Sequence, residues 1–262
     1  MKIKAKKSLG QNFLIDKNIL KKIVDVENII NTSSILEVGA GTGNLTEFIL
    51  EKKPKKIFII EKDEKLVKKL EEKFGKKIDI INKDVLDVSE HLISPEKLIV
   101  YGNLPYNIST QILSKWITNN KNNWYISLVL MFQKEVADRI LAKVNSKNYG
   151  RISILSNWKL NVKKIVDINS SCFMPRPRVQ STLLKFTPKQ KVITLKNSKN
   201  LEIITRIFFN QRRKKIKKPL NQLFKNSDKI IEKFKLNTNL RPQNLANEVY
   251  YGLAQEYENL GN

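Results

Sequence analysis

The chain has 262 residues, 41% of them hydrophobic, which is long enough to bury one sizeable core and to carry a small second domain. It has no apolar run of the roughly 18 residues that a membrane span needs, and a single cysteine, Cys172, and a single histidine, His91, exclude an intramolecular disulfide and a Cys/His zinc cluster. The formal net charge of +24 favours a polyanionic partner such as nucleic acid. An acidic membrane surface is the alternative partner, and codon bias towards lysine is the alternative origin of the charge.

The N-terminus reads MKIKAKKSLGQNF, in which the basic residues are not followed by the apolar segment of a secretory signal. A candidate functional motif that begins by Ser8 argues against a mitochondrial presequence. We therefore expect a cytoplasmic protein.

Apolar runs alternate with segments of helical periodicity through most of the chain. Strands are predicted at SILEV (34–38), KIFIIE (56–61), KIDIIN (77–82), KLIVYGN (97–103), ISLVLMF (126–132), KLNVKKIVDI (159–168) and VQSTLLKF (179–186). Helices are predicted at NLTEFILEKK, DEKLVKKLEEKF, STQILSKWI and KEVADRILAKV. Because strands joined by helices pair in parallel with right-handed crossovers, we expect an α/β fold with a mostly parallel, seven-stranded sheet.

From about residue 190 the pattern changes to helical segments rich in Lys and Asn. These segments are EIITRIFFN (202–210), KPLNQLF (218–224) and the stretch 242–257. We therefore predict an α/β domain over residues 1–190 and a small α-helical domain over residues 191–262.

The first predicted strand runs into EVGAGTGNLT (37–46), which places Gly39, Gly41 and Gly43 in a strand-to-helix turn. Glycine is needed there because the backbone must approach a ligand closely and adopt φ angles that a Cβ would hinder. A dinucleotide site is one interpretation, with Glu61 accepting from two ribose hydroxyls. However, the spacing G-x-G-x-G differs from the pyrophosphate fingerprint G-x-G-x-x-G, and Glu37 would repel a pyrophosphate. Glu37 suits a cationic sulfonium ligand with an ammonium group, so the loop favours S-adenosylmethionine.

Another acidic residue, Asp84, follows the third predicted strand. Its carboxylate could accept from the exocyclic amine of an adenine, with Val85 packing on the ring. Together with the glycine loop and Glu61, these residues predict an adenosyl site built from three strand ends. We expect S-adenosylmethionine as the cofactor, S-adenosylhomocysteine as its product, and no metal.

The fourth predicted strand ends in NLPY, a tetrapeptide that fits the chemistry of adenine. An exocyclic adenine amine is a poor nucleophile because its lone pair is delocalised into the ring. The Asn103 side-chain oxygen and the Leu104 carbonyl could accept its two hydrogens and expose that lone pair. Pro105 has no N–H and a fixed φ, so it can hold the Leu104 carbonyl towards the pocket. Tyr106 offers an aromatic face for an extruded base. An ordinary proline turn after a strand is the alternative interpretation.

His91 lies in a weakly patterned stretch away from the predicted strand ends. We expect it in an exposed loop, without a catalytic role.

The order of these motifs resembles that of the KsgA-type ribosomal RNA adenine dimethyltransferases, over nearly the whole chain. The matching blocks are KKSLGQNFL (6–14), EVGAGTGNLT (37–46), NLPY (103–106), QKEVADRI (133–140), YGRIS (149–153), FMPRPRVQST (173–182), FFNQRRK (208–214) and LRPQNLANE (240–248). The resemblance implies a Rossmann-like class I methyltransferase fold with a helical C-terminal domain that binds RNA or the ribosome. Gln180 stands where the family often has Asp, and Thr182 where Ala is common; both are expected to flank the pocket.

The resemblance also implies roles for individual residues. Phe173 would face Tyr106 across the target base, and Pro175 would shape that wall. The implied cofactor contacts are Gln11, Asn12, Leu14, Gly39, Glu61, Asp84 and Asn103.

The implied substrate is a pair of adjacent adenosines in the hairpin loop near the 3′ end of small-subunit ribosomal RNA. Each adenosine would receive two methyl groups during biogenesis of the 30S subunit, from an enzyme that acts as a monomer. A single-stranded loop suits this chemistry because its bases can be splayed out and reached. The segment QRRKKIKK (211–218) has six basic residues in eight and could hold the phosphate backbone, although a solvated helix face is the alternative.

Three other functions remain open at this point. The same chemistry could act on large-subunit (23S) ribosomal RNA, as in enzymes of the macrolide-resistance type, or on DNA adenine. The chain could instead be a non-catalytic RNA-binding assembly factor with a vestigial cofactor site. The block LRPQNLANE and the complete NLPY motif favour the small-subunit enzyme.

Overall fold

The structure, a computed structural model, describes residue 6 and residues 10–119 and 124–260. The chain divides into two compact units: the first takes the described parts of 1–115, 121–137 and 162–188, and the second those of 116–120, 138–161 and 189–262. All described residues from Lys189 onward therefore belong to the second unit, which also includes two segments from earlier in the chain. The division into functional domains at residue 190 stays a prediction.

The first unit is built on a seven-stranded sheet and a small two-stranded one. The strands are β1 (Phe13–Leu14), β2 (Ser34–Val38), β3 (Lys56–Ile60), β4 (Asp79–Ile81), β5 (Leu98–Asn103), β6 (Tyr125–Gln133), β7 (Leu160–Ile168), β8 (Phe173–Met174) and β9 (Ser181–Pro188). The large sheet has the order β4-β3-β2-β5-β6-β9-β7. The neighbouring strands from β4 to β6 in this order are parallel, and β9 runs antiparallel to β6. The predicted α/β fold with a mostly parallel, seven-stranded sheet is confirmed.

The strand order reverses direction between β2 and β5. From β2 the chain builds outward through β3 and β4, then returns to the other side of β2 as β5 and continues to β6. The two central strands are paired in register up to Val38 and Gly102. In sheets of this kind the crevice beyond the carboxyl ends of the strands at such a switch point is where ligands bind. The carboxyl ends of β2 and β5 are the ends that carry the glycine loop and NLPY.

The described helices are α1 (Lys17–Val24), α2 (Asn44–Glu51), α3 (Glu64–Phe74), α4 (Ser109–Thr118), α5 (Lys134–Ile140), α6 (Arg151–Lys159), α7 (Lys199–Asn210), α8 (Lys217–Leu223), α9 (Ser227–Lys233) and α10 (Asn247–Asn259). The sequence pattern does not predict α1, α6 or α9. Helix α6 is missed because five of its nine residues are buried on more than one side, which leaves no apolar stripe to detect. Helix α1 is only eight residues long, and Asp16 caps its N-terminus by accepting from the Ile19 N–H (3.0 Å).

The second unit packs α7 against α10 and α6 through aromatic residues. The rings of Phe208 and Tyr250 lie 5.4 Å apart, edge to face. The hydroxyl of Tyr250 donates to the Pro242 carbonyl (2.7 Å), and that of Tyr251 donates to the Ile154 carbonyl (3.0 Å). These bonds satisfy the polar ends of buried side chains, as a stable helical core requires. Within the described part of the chain, no helix is both long and apolar enough to cross a membrane.

Candidate active site

A cavity of about 230 Å³ lies in the crevice at the carboxyl ends of the central strands. All of the residues predicted for the site line it, except Gly43, Phe173 and Pro175. The lining residues from that prediction are Gln11, Asn12, Leu14, Glu37, Gly39, Gly41, Glu61, Asp84, Val85, Asn103, Leu104, Pro105 and Tyr106. Segments far apart in the chain therefore form one site, because β2, β3 and β5 end at the same edge of the sheet.

Gly41 and Gly43 have positive φ angles of 59° and 76°, and each is needed for a different reason. A Cβ on Gly41 would lie 2.8 Å from the ring of Phe13, so this glycine allows the N-terminal segment to lie close over the loop. A Cβ on Gly43 would lie 2.5 Å from Phe74 of α3. Gly43 does not line the cavity; it is the N-cap of α2 and lets that helix approach α3.

Glu37 and Glu61 are buried carboxyl groups that line the cavity. The hydroxyl of Thr46 donates to Glu37 Oε2 (2.6 Å), and burial raises the pKa of Glu37 to about 7. Glu61 accepts from the N–H of Gly41 (3.0 Å) and of Asp63 (2.9 Å), and burial raises its pKa as well. Glu61 thus holds the glycine loop to the end of β3.

Asp84 differs from the two buried glutamates because its pKa is lowered. Lys62 Nζ donates to Asp84 Oδ2 (2.8 Å), and the Leu86 N–H donates to Oδ1 (2.9 Å). The Lys62 hydrogen bond is the main cause of the lowered pKa of Asp84. Asp84 therefore offers a negatively charged acceptor at the cavity wall.

Asn103 is the last residue of β5, and its side chain is fixed by the N-terminal segment. Its Nδ2 donates to the Asn12 carbonyl (2.8 Å). This bond uses the donor side of the amide, while Oδ1 accepts no hydrogen bond from the described residues. Asn103 can therefore act as an acceptor towards a ligand.

The rest of NLPY forms a turn into α4. Leu104 is buried, Pro105 and Tyr106 are half-buried, and the Ile108 N–H donates to the Pro105 carbonyl (3.2 Å). The hydroxyl of Tyr106 lies 2.6 Å from Ser181 Oγ, a fully buried group on β9. The bond fixes the tyrosine ring at the cavity wall.

The N-terminal segment that lines the cavity is fastened by side chains that the sequence reasoning missed. Gln11 Nε2 donates to Asp63 Oδ2 (3.1 Å), and Lys6 Nζ pairs with the same carboxylate (2.9 Å). Asn44 Nδ2 donates to the Leu14 carbonyl (2.7 Å). In the sequence, Asn44 and Asp63 are each only the first residue of a predicted helix, and nothing marks Ser181, which lies between Gln180 and Thr182, as a partner of Tyr106.

Phe173 and His91 lie in surroundings that the sequence did not indicate. Phe173 pairs through its backbone with Leu14 and packs in the core at 1% exposure, without lining the cavity; its place opposite Tyr106 stays a prediction.

His91 was expected in an exposed loop, and this prediction is wrong. It is half-buried in a 3₁₀ turn (Glu90–Leu92), and both ring nitrogens are enclosed without a hydrogen-bond partner among the described residues.

The second unit carries a basic cluster at the turn between α7 and α8. Its residues, which line a shallow depression, are Gln211, Lys214, Lys215, Lys217, Lys218 and Asn221. Lys215 Nζ donates to Asn239 Oδ1 (2.8 Å), and the guanidinium of Arg212 donates to the Lys147 carbonyl. Arg212 therefore ties the turn to the rest of its unit, and the lysines supply the charge of the depression.

A Rossmann-like sheet whose glycine loop, acidic strand ends and NLPY motif share one crevice defines a class I methyltransferase. The sequence model of the family described as ribosomal RNA adenine dimethylase matches residues 2–259. The chain belongs to that family, which confirms the family and the enzyme class predicted from the sequence.

Individual relatives agree with this family over almost their whole length. The chain is 61% identical to the ribosomal RNA small subunit methyltransferase A of Pelagibacter ubique, covering 99% of both chains, and 40% identical to that of a Wolbachia strain, covering 98% of this chain and 94% of the relative. A dimethyladenosine transferase from Plasmodium falciparum has a crystal structure with a TM-score of 0.77 at 27% identity, covering 95% of this chain and 98% of that one. A 23S rRNA methyltransferase, ErmE, shares the fold, with a TM-score of 0.67 at 19% identity over 94% and 99%.

Proposed function

We propose that the chain binds S-adenosylmethionine in the cavity and dimethylates the N6 amines of two adjacent adenosines in the 3′-terminal hairpin loop of small-subunit ribosomal RNA. The observation that carries this proposal is the meeting of Asn103 and Tyr106 with the acidic strand ends in a single crevice. The names of the 61% and 40% identical relatives support the small-subunit substrate. An rRNA methylated in this way belongs to the biogenesis of the 30S subunit, which in bacteria takes place in the cytoplasm. We expect a monomer to suffice, because the described first unit alone provides these residues.

The donor set of the cavity fits S-adenosylmethionine. Asp84 offers an ionised acceptor for an adenine amine, and Val85 beside it offers an apolar surface. Glu61 would hold the ribose hydroxyls, since each of its oxygens accepts one backbone N–H and has a further lone pair available. Glu37 would face the cationic end of the ligand. When bound, S-adenosylmethionine supplies an activated methyl group.

NLPY would prepare the adenine for transfer. Asn103 Oδ1 and the Leu104 carbonyl would accept from the exocyclic amine and localise its lone pair on nitrogen. Tyr106 would stack the base, a contact of roughly 1–3 kcal/mol in other nucleic-acid complexes. A strong general base is unnecessary, so these residues act mainly by alignment and hydrogen bonding.

The basic cluster gives the RNA a second point of attachment. Lysine ammonium groups at an open depression suit contacts with phosphate oxygens, which position an RNA without reading its sequence. We assign this role to the second unit.

The test is Asn103→Ala, with Asn161→Ala, an exposed asparagine on β7, as the matched control. We expect Asn103→Ala to lower kcat by about 100-fold or more, as the loss of one preorganised hydrogen-bonding group does elsewhere, with cofactor affinity little changed. Asn161→Ala should match the wild type. The assay uses undermethylated 30S subunits and radiolabelled cofactor, followed by mapping of the modified nucleotides.

Undiminished turnover by Asn103→Ala would contradict the catalytic assignment. Methylation of 23S rRNA in place of the 3′-terminal hairpin would support the macrolide-resistance type of enzyme. Binding of subunits without any methyl transfer by the wild type would support an assembly factor.

A further inference from the structure

Lys115 on α4 turns its ammonium group into the first unit, where it meets three acceptors. Nζ donates to the carbonyls of Val85 (2.7 Å) and Val88 (2.5 Å) and to Glu90 Oε1 (2.7 Å). An ammonium group has three protons, so this set satisfies all of them. The side chain of Lys115 is 26% exposed, and that of Glu90 is fully buried.

A buried ion pair of this kind is weak evidence for a role in stability. Removing two charges from water is costly, and well-packed apolar side chains often serve a fold as well or better. The better-supported use of such a pair is to select one conformation among several.

The acceptors of Lys115 belong to the loop that carries Asp84 and Val85. The regular structure of this loop is limited to the short 3₁₀ turns Val85–Asp87 and Glu90–Leu92, each closed by two backbone hydrogen bonds of 3.0–3.4 Å. Lys115 lies on the helix that begins three residues after Tyr106. It thus joins the acidic wall of the cavity to the helix that follows NLPY.

We propose that Lys115 is a positioning residue that fixes the adenine end of the cofactor pocket, by holding the Val85 carbonyl and with it the Asp84 carboxylate. The role rests on the proposed function, because it needs an adenosyl ligand in this cavity. Hydrogen bonds from Lys62 and from the Leu86 N–H are the main causes of the lowered pKa of Asp84, and the charge of Lys115 adds a smaller effect. Lys115 would therefore decide how well the enzyme recognises the adenine amine of its cofactor.

The experiment compares two ligands that differ only along the purine edge that carries this amine. Calorimetry gives the Kd of S-adenosylhomocysteine and of S-inosylhomocysteine, in which a carbonyl replaces the amine and the neighbouring N1 carries a proton. The wild type should prefer the adenosyl ligand. In Lys115→Met this preference should fall about tenfold, and Lys115→Arg should restore part of it. With saturating cofactor, kcat of Lys115→Met should stay within about threefold of the wild type, while KM for S-adenosylmethionine rises.

Lys115→Met leaves Glu90 charged and buried, which could prevent folding. The double variant Lys115→Met/Glu90→Gln removes both charges and should show the same reduced preference. Lys185→Met is the matched control, because Lys185 is 25% exposed and pairs with the partly buried Glu27 (2.7 Å), and neither residue lines the cavity. It should lower Tm without changing the ligand preference.

The outcomes separate the two proposals. Failure of the wild type to bind S-adenosylhomocysteine contradicts the proposed function. Binding by the wild type, with the same preference in the folded double variant, overturns the role of Lys115 and leaves the function intact. If Lys185→Met also loses the preference for the adenosyl ligand, the loss in Lys115→Met reflects lower protein stability, and the proposal is overturned.

Discussion

Glu37 is a carboxyl group enclosed by protein, with 2% of its surface exposed and one hydrogen bond from Thr46. Burial raises its pKa from 4.5 to about 7; the Thr46 bond offsets part of this effect, and the negative charge of Glu61 adds to it. Near neutral pH the protonated and ionised forms of Glu37 therefore coexist in the free enzyme. A cationic ligand beside it would favour the ionised form.

Glu37 should make the stability of the free enzyme depend on pH. Because the folded chain holds this proton more tightly than the unfolded chain, the contribution of Glu37 is fully present below pH 4.5 and is lost as the pH rises through about 7. The difference corresponds to about 3 kcal/mol. Urea unfolding at a series of pH values should therefore show a fall in this window for the wild type and a flatter profile for Glu37→Gln. Parallel profiles would contradict the assignment.

The residues that hold the site together are harder to predict than those that line it. Asn103 and Glu61 are visible in the sequence because each stands at a strand end within a recognisable motif. Their partners, Asn12 and Gly41, are also in motifs, but nothing in the motifs says that they meet. Ser181 and Lys115 lie in ordinary strand and helix sequence, and only the distances to Tyr106 and Val85 reveal them.

At the scale of elements, the glycine loop sets the packing of α2 on α3. Gly43 is the N-cap of α2, and a Cβ there would meet both backbone strain and the side chain of Phe74. Gly75 has a φ of 53°, also positive, but a Cβ there would meet nothing within 4 Å. A side chain at Gly43 would therefore meet both backbone strain and a steric conflict, whereas a side chain at Gly75 would meet backbone strain alone.

Gly75 has a ψ of −130°, outside the left-handed helical region, and we expect Gly75→Ala to cost about 1–3 kcal/mol through backbone strain alone. Gly43→Ala should cost about 1–2 kcal/mol for its left-handed conformation and about 1–3 kcal/mol more because the added methyl group overpacks the contact with α3. Denaturant unfolding of the two variants measures the difference. A loss of no more than about 1–2 kcal/mol in Gly43→Ala would show that Phe74 moves aside freely and that Gly43 is needed for its φ angle only.

At the scale of the whole molecule, the net charge of +24 is not spread evenly. Many lysines of the first unit pair with carboxylates, such as Lys52 with Asp25, Lys55 with Glu96 and Lys73 with Glu47. In the second unit, the turn between α7 and α8 gathers four lysines around one depression. This local density of charge, more than the total, is the reason that we propose the turn as a phosphate-binding surface.

Replacing Lys214, Lys217 and Lys218 by Gln should weaken RNA binding and reduce the slope of log affinity against log salt concentration by about 2, because fewer counterions are released from the RNA. The control with equal loss of charge replaces Lys68, Lys76 and Lys77, exposed residues on or just after α3. Filter binding of small-subunit rRNA at several salt concentrations gives both slopes. An unchanged slope in the first variant, or equal reductions in both, would show that the cluster makes no specific contribution.

The sequence by itself determined the sheet, the family and the enzyme class. Parallel strands in α/β folds are buried on both faces, so each one appears in the sequence as an apolar run and can be located from its own residues. The motifs at the ends of these strands indicate the reaction. The sequence did not determine α6, which is buried too completely to show an apolar stripe, the partial burial of His91 or the full burial of Phe173.

Only the tertiary structure decided how the site is held. The carboxylate of Asp63 holding Gln11, the hydroxyl of Ser181 at Tyr106 and the ammonium of Lys115 at the Asp84 loop join residues that are distant in the chain. Such contacts leave no periodic signal, because a hydrogen bond depends on the distance between two groups in space and not on their spacing in the sequence.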